Sequence, residues 1–471
     1  MADIKSLREL PAVQVLLDDP AIKALEAVHG REAVLLASRE TLAQLRAEIL
    51  DGKLNGADLF ATCVARAQAR INKSSTAGVR RVINGTGVIL HTGLGRAVLP
   101  AVTVQAIVRE LSGYAAVEVD IESGKRGHRD ETIRALLGAL LGSEHATAVN
   151  NNAAATMLAL ATVARGKEVV VSRGQLVEIG GSFRVPDVML ESGCKLIEVG
   201  TTNRTYARDY EAVITPQTAA LLAVHTSNFR IIGFTEEPSI AELSAVARKH
   251  NLPLIYDIGS GALLPNLSPA LKDEPSVKQA LDDGADLVLF SADKILGGPQ
   301  GGIAAGRKEL VEKMRKHPLF RALRVDKLTL CALEATLRLY LDPARREAAV
   351  PTLRAMALTY SALSAQAAAL AERLAKATPG LEAECREDAS RLGSGSLPER
   401  DLPTRVVALR HAKFSADELG AKLRAHTPPI LTRIQDDRVL IDPRTLLDGD
   451  VGEIEAAVKK VNEELKMKNA K

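Results

Sequence analysis

Tryptophan is absent from this 471-residue chain, and aromatic residues otherwise number only 7 Phe and 6 Tyr. That scarcity argues against a nucleic-acid surface built from a row of stacked aromatic rings. Excess charge is also missing: 61 Lys and Arg stand against 58 Asp and Glu, a formal net charge of +3. A sequence-blind nucleic-acid coat needs a far more basic balance. The four cysteines, Cys63, Cys194, Cys331 and Cys385, form no CxxC pair, which excludes a zinc knuckle and reads as reduced thiols of a cytoplasmic enzyme. No metal site is expected. Nowhere do about 18 apolar residues run without interruption, so no transmembrane helix is expected. The opening stretch MADIKSLRELPAVQVLLDDP alternates charge with apolar residues and carries no secretory apolar core.

What is present is an ordinary globular composition, 46% apolar and 25% charged. At ~150 residues per domain the length predicts about three domains. Residues 1–72 read as an all-helical module, with apolar residues at helical spacing and breaks at Gly30, Gly52 and Gly56. Through residue 80 this part carries 11 Lys and Arg against 10 Asp and Glu, so net charge gives no sign of a nucleic-acid partner. Residues 73–84, rich in small and turn-forming types, read as a linker.

From 85 to 330 short apolar runs (HATAVN, EVVVSR, CKLIEVG, AALLAVHT, LPLIYDIG, ADLVLFS) alternate with helical stretches. Continuous apolar strands separated by helices predict an α/β domain with a mostly parallel sheet covered on both faces. Residues 331–471 read as a long helical connection followed by a small α+β domain.

The chemistry gathers at the ends of these runs. Lys294 follows the strand ADLVLFS and leads into LGGPQGG. A lysine delivered to the edge of an open sheet lies where ligands collect, and partial desolvation makes its amine reactive toward an aldehyde cofactor. A solvated loop lysine is the plainer reading of that residue alone. Asp257 ends LPLIYD and is placed to pair with the pyridine nitrogen of pyridoxal phosphate; a turn-capping aspartate is the alternative. Asn152, Ala153 and Ala154 open the helix after HATAV, where small residues and the helix dipole favour a phosphate, or where an asparagine simply caps. Ser291 offers the same phosphate a hydroxyl, and Asn228 could reach a phenolic oxygen. The order of phosphate turn, Asn, Asp and Lys matches that of fold-type I pyridoxal-phosphate enzymes, and it favours the enzyme reading. Arg96, Arg126, Arg129, Arg321 and Arg324 supply guanidiniums suited to a tetrahedral oxyanion, although for each alone a surface ion pair is the plainer reading.

The segments RRVINGTGVILHTGLGRAVLP, ESGKRGHRD, SRGQLVEIGGSFRVPDVM, EVGTTNRTYARDY, HTSNFRIIGFT, DIGSG, SADKILGGPQGGI and FRALRVDKLTLCALEATLRLY resemble successive blocks of the bacterial selenocysteine synthases, the L-seryl-tRNA(Sec) selenium transferases. The similarity continues through LPTRVVALR and ILTRIQDDRVLIDPRTL. It departs at HTGLGR, where HTNLGR is expected, and at SADK, where SGDK is more usual. The resemblance implies a fold-type I transferase that forms selenocysteinyl-tRNA(Sec) from seryl-tRNA(Sec) and selenophosphate, by β-elimination to an aminoacrylate and selenium addition. It implies that Lys294 carries pyridoxal 5'-phosphate, Asp257 holds the ring nitrogen and Asp293 assists. It implies that Arg96, Arg321 and Arg324 hold the selenium donor, and that 1–72 contacts tRNA. A cytoplasmic homodecamer, a ring of five dimers, is also implied. Two other readings compete: an ammonia-lyase or β-eliminase of the same scaffold acting on a small phosphorylated amino compound, and a tRNA-binding assembly protein with a vestigial site.

Overall fold

Two compact units make up the chain, one ending at Arg81 and the other beginning at Val82. The computed structural model describes residues 7–54, 58–74, 78–180, 183–394 and 401–469. Part of the expected linker, residues 75–77, lies outside the described residues.

The first unit is helical: α1 (Val13–Leu17), α2 (Pro20–His29), α3 (Arg31–Leu50) and α4 (Leu59–Ser74). In α3 the buried positions Val34, Ala37, Ser38, Thr41, Leu42, Leu45 and Ile49 recur at steps of three and four, one face of the helix. That face meets Cys63, Ala67 and Ile71 of α4 in a small core. Around its rim Arg66 pairs with Glu48 at 2.6 Å and Arg70 with Glu40 at 2.9 Å. Asp19 caps α2 by accepting from the backbone of Ala21.

The second unit is built on seven strands: β1 (His145–Val149), β2 (Glu168–Ser172), β3 (Lys195–Val199), β4 (Thr218–Val224), β5 (Leu254–Gly259), β6 (Leu287–Ser291) and β7 (Gly302–Gly306). Their spatial order is β1-β7-β6-β5-β4-β2-β3. All pairs are parallel except those of β7, which runs antiparallel to both β1 and β6. This is the mostly parallel α/β sheet expected. β7 (GIAAG) was not foreseen: two glycines and two alanines carry little strand propensity, and burial on both sides forms it. The sheet separates two cores. Along β5 and β6, Leu254, Tyr256, Val288 and Phe290 enter one, while Ile255, Leu287 and Leu289 enter the other. The period of two places Asp257 on the second face, where helix α5 (Asn152–Ala164) packs. Gly302 is required at this contact: a Cβ there meets the Asn151 carbonyl at 2.0 Å.

The chain ends in an antiparallel sheet, β8 (Leu381–Ser390), β9 (Leu402–His411), β10 (Arg433–Gln435) and β11 (Arg438–Ile441), ordered β8-β9-β11-β10. The charged sequence of β8, LEAECREDAS, hid it as a strand, and a ten-residue pairing with β9 forms it. The long helical stretch expected after 350 is two helices, Pro351–Ala357 and Tyr360–Ala377, divided where Thr359 caps the second. Ile83–Asn84, within the expected linker, pairs in parallel with Ile430–Leu431. Beneath this sheet Asp442, fully buried, accepts from Ser390, Thr404 and the backbone of Arg444 at 2.7–3.0 Å. Arg444 in turn donates to Ser390 and to the carbonyls of Ala355, Leu358 and Pro403. Among the described residues no helix is long and apolar enough to cross a membrane, and no cluster of metal-ligating side chains occurs.

Candidate active site

The carboxyl ends of β4, β5 and β6 and the start of α5 meet at one edge of the large sheet. Asp257, near the end of β5, is almost wholly buried. Asn152 donates to its Oδ1 at 2.7 Å, and Thr156, one turn further along α5, to its Oδ2 at 2.8 Å. Burial pushes the Asp257 carboxyl above the usual carboxylate range, while the Asn152 and Thr156 donors and the charges of Lys294 and His225 pull it back. Each carboxylate oxygen keeps a lone pair for a further donor.

Lys294 lies three residues beyond β6 in a turn pinned to the end of β5. Ile295 N–H donates to the Ser260 carbonyl at 3.1 Å, and Gly297 N–H to that of Lys294 at 3.0 Å. Gly261, at φ +76°, is needed for this approach because a Cβ there meets the Ser291 carbonyl at 2.2 Å. Lys294 is 5% exposed. Desolvation and the nearby charge of Arg96 depress its amine, opposed by Asp293, Asp257 and Glu274. Arg96, held at φ 64° after the turn Thr92–Leu94, donates to Asp293 Oδ2 at 2.6 Å.

At the head of α5 the capping role falls to Asn151, whose side chain accepts from Ala154 N–H at 2.8 Å. The Asn152 side chain is committed to Asp257, so an anion at this helix start has the backbone N–H groups of Asn152 and Ala153 as donors and competes with a cap at Ala154. Ser291 is buried at the end of β6. Asn228, on the loop after β4, donates to the Glu178 carbonyl at 2.7 Å and leaves its buried Oδ1 unpartnered. The arginines divide into groups. Arg96 stands beside the lysine, whereas Arg126, Arg129 and Arg324 converge on Glu118 at 3.0, 3.0 and 3.7 Å. Arg324 also bridges to Val149 at the end of β1, next to the start of α5. Arg321 is exposed on the short helix Pro318–Ala322.

The edge also holds groups that sequence reasoning passed over. Thr156 could have been found, since it follows Asn152 by one helical turn. Ser260, His225 and Glu274 gave no signal. Ser260 is fully buried and its hydroxyl has no partner. His225 N–H donates to the Asp257 carbonyl at 2.9 Å. Its Nε2 lies 3.3 Å from Glu274 Oε1, yet misaligned, so both atoms remain without a hydrogen bond. His225 and Glu274 line a cavity of about 590 Å³, within the roughly 300–1,000 Å³ of small-molecule sites. A buried carboxylate and a depressed buried amine at one sheet edge, with unpaired polar atoms of His225 and Glu274 leading from it to the cavity they line, suit a polar ring with a basic nitrogen and an aldehyde. The set fits pyridoxal phosphate.

Comparison with known proteins agrees. The family described as "L-seryl-tRNA selenium transferase" matches residues 82–447, and "Selenocysteine synthase N terminal" matches residues 7–46. The chain is similar to the L-seryl-tRNA(Sec) selenium transferase of Solidesulfovibrio magneticus, 47% identical over 94% of this chain and 96% of the relative. That of Geobacter sulfurreducens is 45% identical over 96% of this chain and 98% of the relative. Among solved structures, a D-glucosaminate-6-phosphate ammonia-lyase overlays with a TM-score of 0.56 at 23% identity, covering 82% of this chain and 97% of that one. At that identity the likeness concerns the fold alone.

Proposed function

The chain belongs to the L-seryl-tRNA selenium transferase family, and from that premise we propose that it converts L-seryl-tRNA(Sec) to L-selenocysteinyl-tRNA(Sec), with selenophosphate as selenium donor and pyridoxal 5'-phosphate as cofactor. The observation that carries this reading at the site is the buried pair of Asp257, near the end of β5, and Lys294, in the turn that follows the neighbouring strand β6.

When bound, pyridoxal phosphate supplies an electron sink for the charge that develops at the seryl Cα. Lys294 is the residue to carry it, and Asp257, held by Asn152 and Thr156, is the carboxylate to keep a proton on its ring nitrogen. The N–H groups of Asn152 and Ala153 and the Ser291 hydroxyl are suited to its phosphate, and Asn228 to its phenolic oxygen. Lys294 Nζ, depressed by burial, is available as the base that takes the Cα proton and later returns it. The seryl hydroxyl leaves Cβ with a proton as water, selenium bonds to Cβ in its place, and hydrolysis of the donor's phosphorus–selenium bond releases inorganic phosphate. Asp293 fixes the Arg96 guanidinium beside the lysine, and Arg96, Arg321 and Arg324 receive the donor's anion. The helical unit ending at Arg81 contacts the tRNA, whose shape and backbone then carry selection. The oligomer is a homodecamer, a ring of five dimers, acting in the cytoplasm.

The deciding experiment mixes the purified protein, seryl-tRNA(Sec) and selenophosphate and identifies the amino acid on the recovered tRNA by mass. Selenocysteine is expected. Unchanged serine, from protein that holds the cofactor on Lys294, would instead favour the small-molecule lyase. Deleting residues 1–72 is expected to abolish tRNA binding and leave cofactor colour intact; sedimentation of the full chain reads the assembly.

A further inference from the structure

The cavity beside the catalytic edge is acidic. Its charged lining consists of Glu236, Glu237, Asp273 and Glu274 against Arg204 and Arg230. Of these, Arg204 stacks on the Phe234 ring at 5.6 Å, and Gln175 donates to Glu237. Glu274 differs from the rest. Its side chain is 1% exposed, its Oε1 makes no hydrogen bond, and its charge reaches Lys294. A carboxylate so buried and so poorly paired is costly unless a cation joins it.

The substrate reading provides that cation. A serine esterified to tRNA brings an α-ammonium and no carboxylate, whereas free serine brings both. The guanidinium nearest the lysine, Arg96, is held by Asp293 and on the proposed reading is taken by the selenium donor, so it is not the clamp for a substrate carboxylate. We propose that Glu274, with His225 beside it, is a specificity-determining residue that admits esterified serine and rejects free serine. It attracts the ammonium common to both and repels the carboxylate that only the free amino acid carries. This inference rests on the proposed function and names what that site selects against.

The test titrates the holoenzyme with serine methyl ester and with free serine, following the cofactor spectrum near pH 6, below the roughly 7.7–8.0 of an α-amino group. Wild-type protein is expected to bind the ester at least about tenfold more tightly, the scale of one charged interaction. Glu274→Gln should bring that ratio down by about tenfold, and Glu274→Asp should retain part of it. Melting shifts of cofactor-free protein with each ligand should repeat the ratio without the chromophore. Equal binding of the two by wild-type protein overturns the proposal whatever the variants do, as does a Glu274→Gln protein that keeps the wild-type ratio. Ester preference in a protein that forms no selenocysteinyl-tRNA sinks the reaction and leaves the role of Glu274 standing.

Discussion

Two buried aspartates of the same unit are treated in opposite ways. Asp442, beneath the C-terminal sheet, has both oxygens occupied, and Arg444 beside it reaches three carbonyls and a hydroxyl. Neither leaves a buried polar atom unpaired. Asp257 has two donors, but around it Asn152 Oδ1, Ser260 Oγ, His225 Nε2 and Glu274 Oε1 make no hydrogen bond, although the last two lie 3.3 Å apart. A satisfied polar cluster fixes one arrangement of the chain, and an unsatisfied one keeps interaction free energy for a ligand. Burial alone therefore does not separate these two charges; the hydrogen-bond partners of each and of its immediate neighbours do.

The sharpest way to break the contrast is to delete a charge on each side. Lys294→Met should lower turnover of seryl-tRNA(Sec) by at least about 10⁴-fold, the upper range of positioned proton transfer. Its unfolding free energy should move by less than about 1 kcal/mol, because the amine it removes is already depressed. Arg444→Met should do the reverse. It strips Asp442 of its neighbour and empties three carbonyls, at about 3–5 kcal/mol in a denaturant titration, with unchanged turnover per folded molecule. If Arg444→Met proved as stable as wild type, the satisfied cluster would not be the structural one.

A smaller effect sharpens the catalytic side. Thr156→Val removes a donor that holds the Asp257 carboxyl down. Losing a bond to a charged acceptor costs about 1.5–3 kcal/mol, read as weaker cofactor binding. With Thr156 gone the carboxyl rises further, so the acidic limb of the rate profile should move to higher pH. The smallest expected effect is a pair of serines. Ser390→Ala, which takes a partner from both Asp442 and Arg444, should cost about 1–3 kcal/mol. Ser260→Ala, which removes an unpaired hydroxyl, should be neutral within about 0.5 kcal/mol or stabilising.

Much of this architecture was legible from residue order. The apolar runs of β1 to β6 announced a buried parallel sheet because strands covered on both faces need apolar residues at every position. β7 and β8 were not legible, since one owes its form to close packing of small residues and the other to its partner strand. At the site, Asp257 and Lys294 could be read because the one lies near the end of an apolar strand and the other just beyond one. His225 and Glu274 could not. They meet at 3.3 Å only after the loop beyond β5 has folded back, and nothing in the spacing of a loop records that approach.

The pairing of Ile83 with Ile430 bears on how the protein is born. Synthesis runs from the N-terminus, so every strand of the large sheet leaves the ribosome before residues 390–445 exist. Yet the segment leading to Arg96 is held by those late residues: Ile89 and Leu90 donate to Arg391 and Leu392, and Gly87 donates to Thr445 across 358 positions of chain. A nascent or truncated chain can thus assemble its sheet and still lack the fixed arginine beside its lysine. The reactive amine acquires its full electrostatic setting only once residues 390–445 have been made.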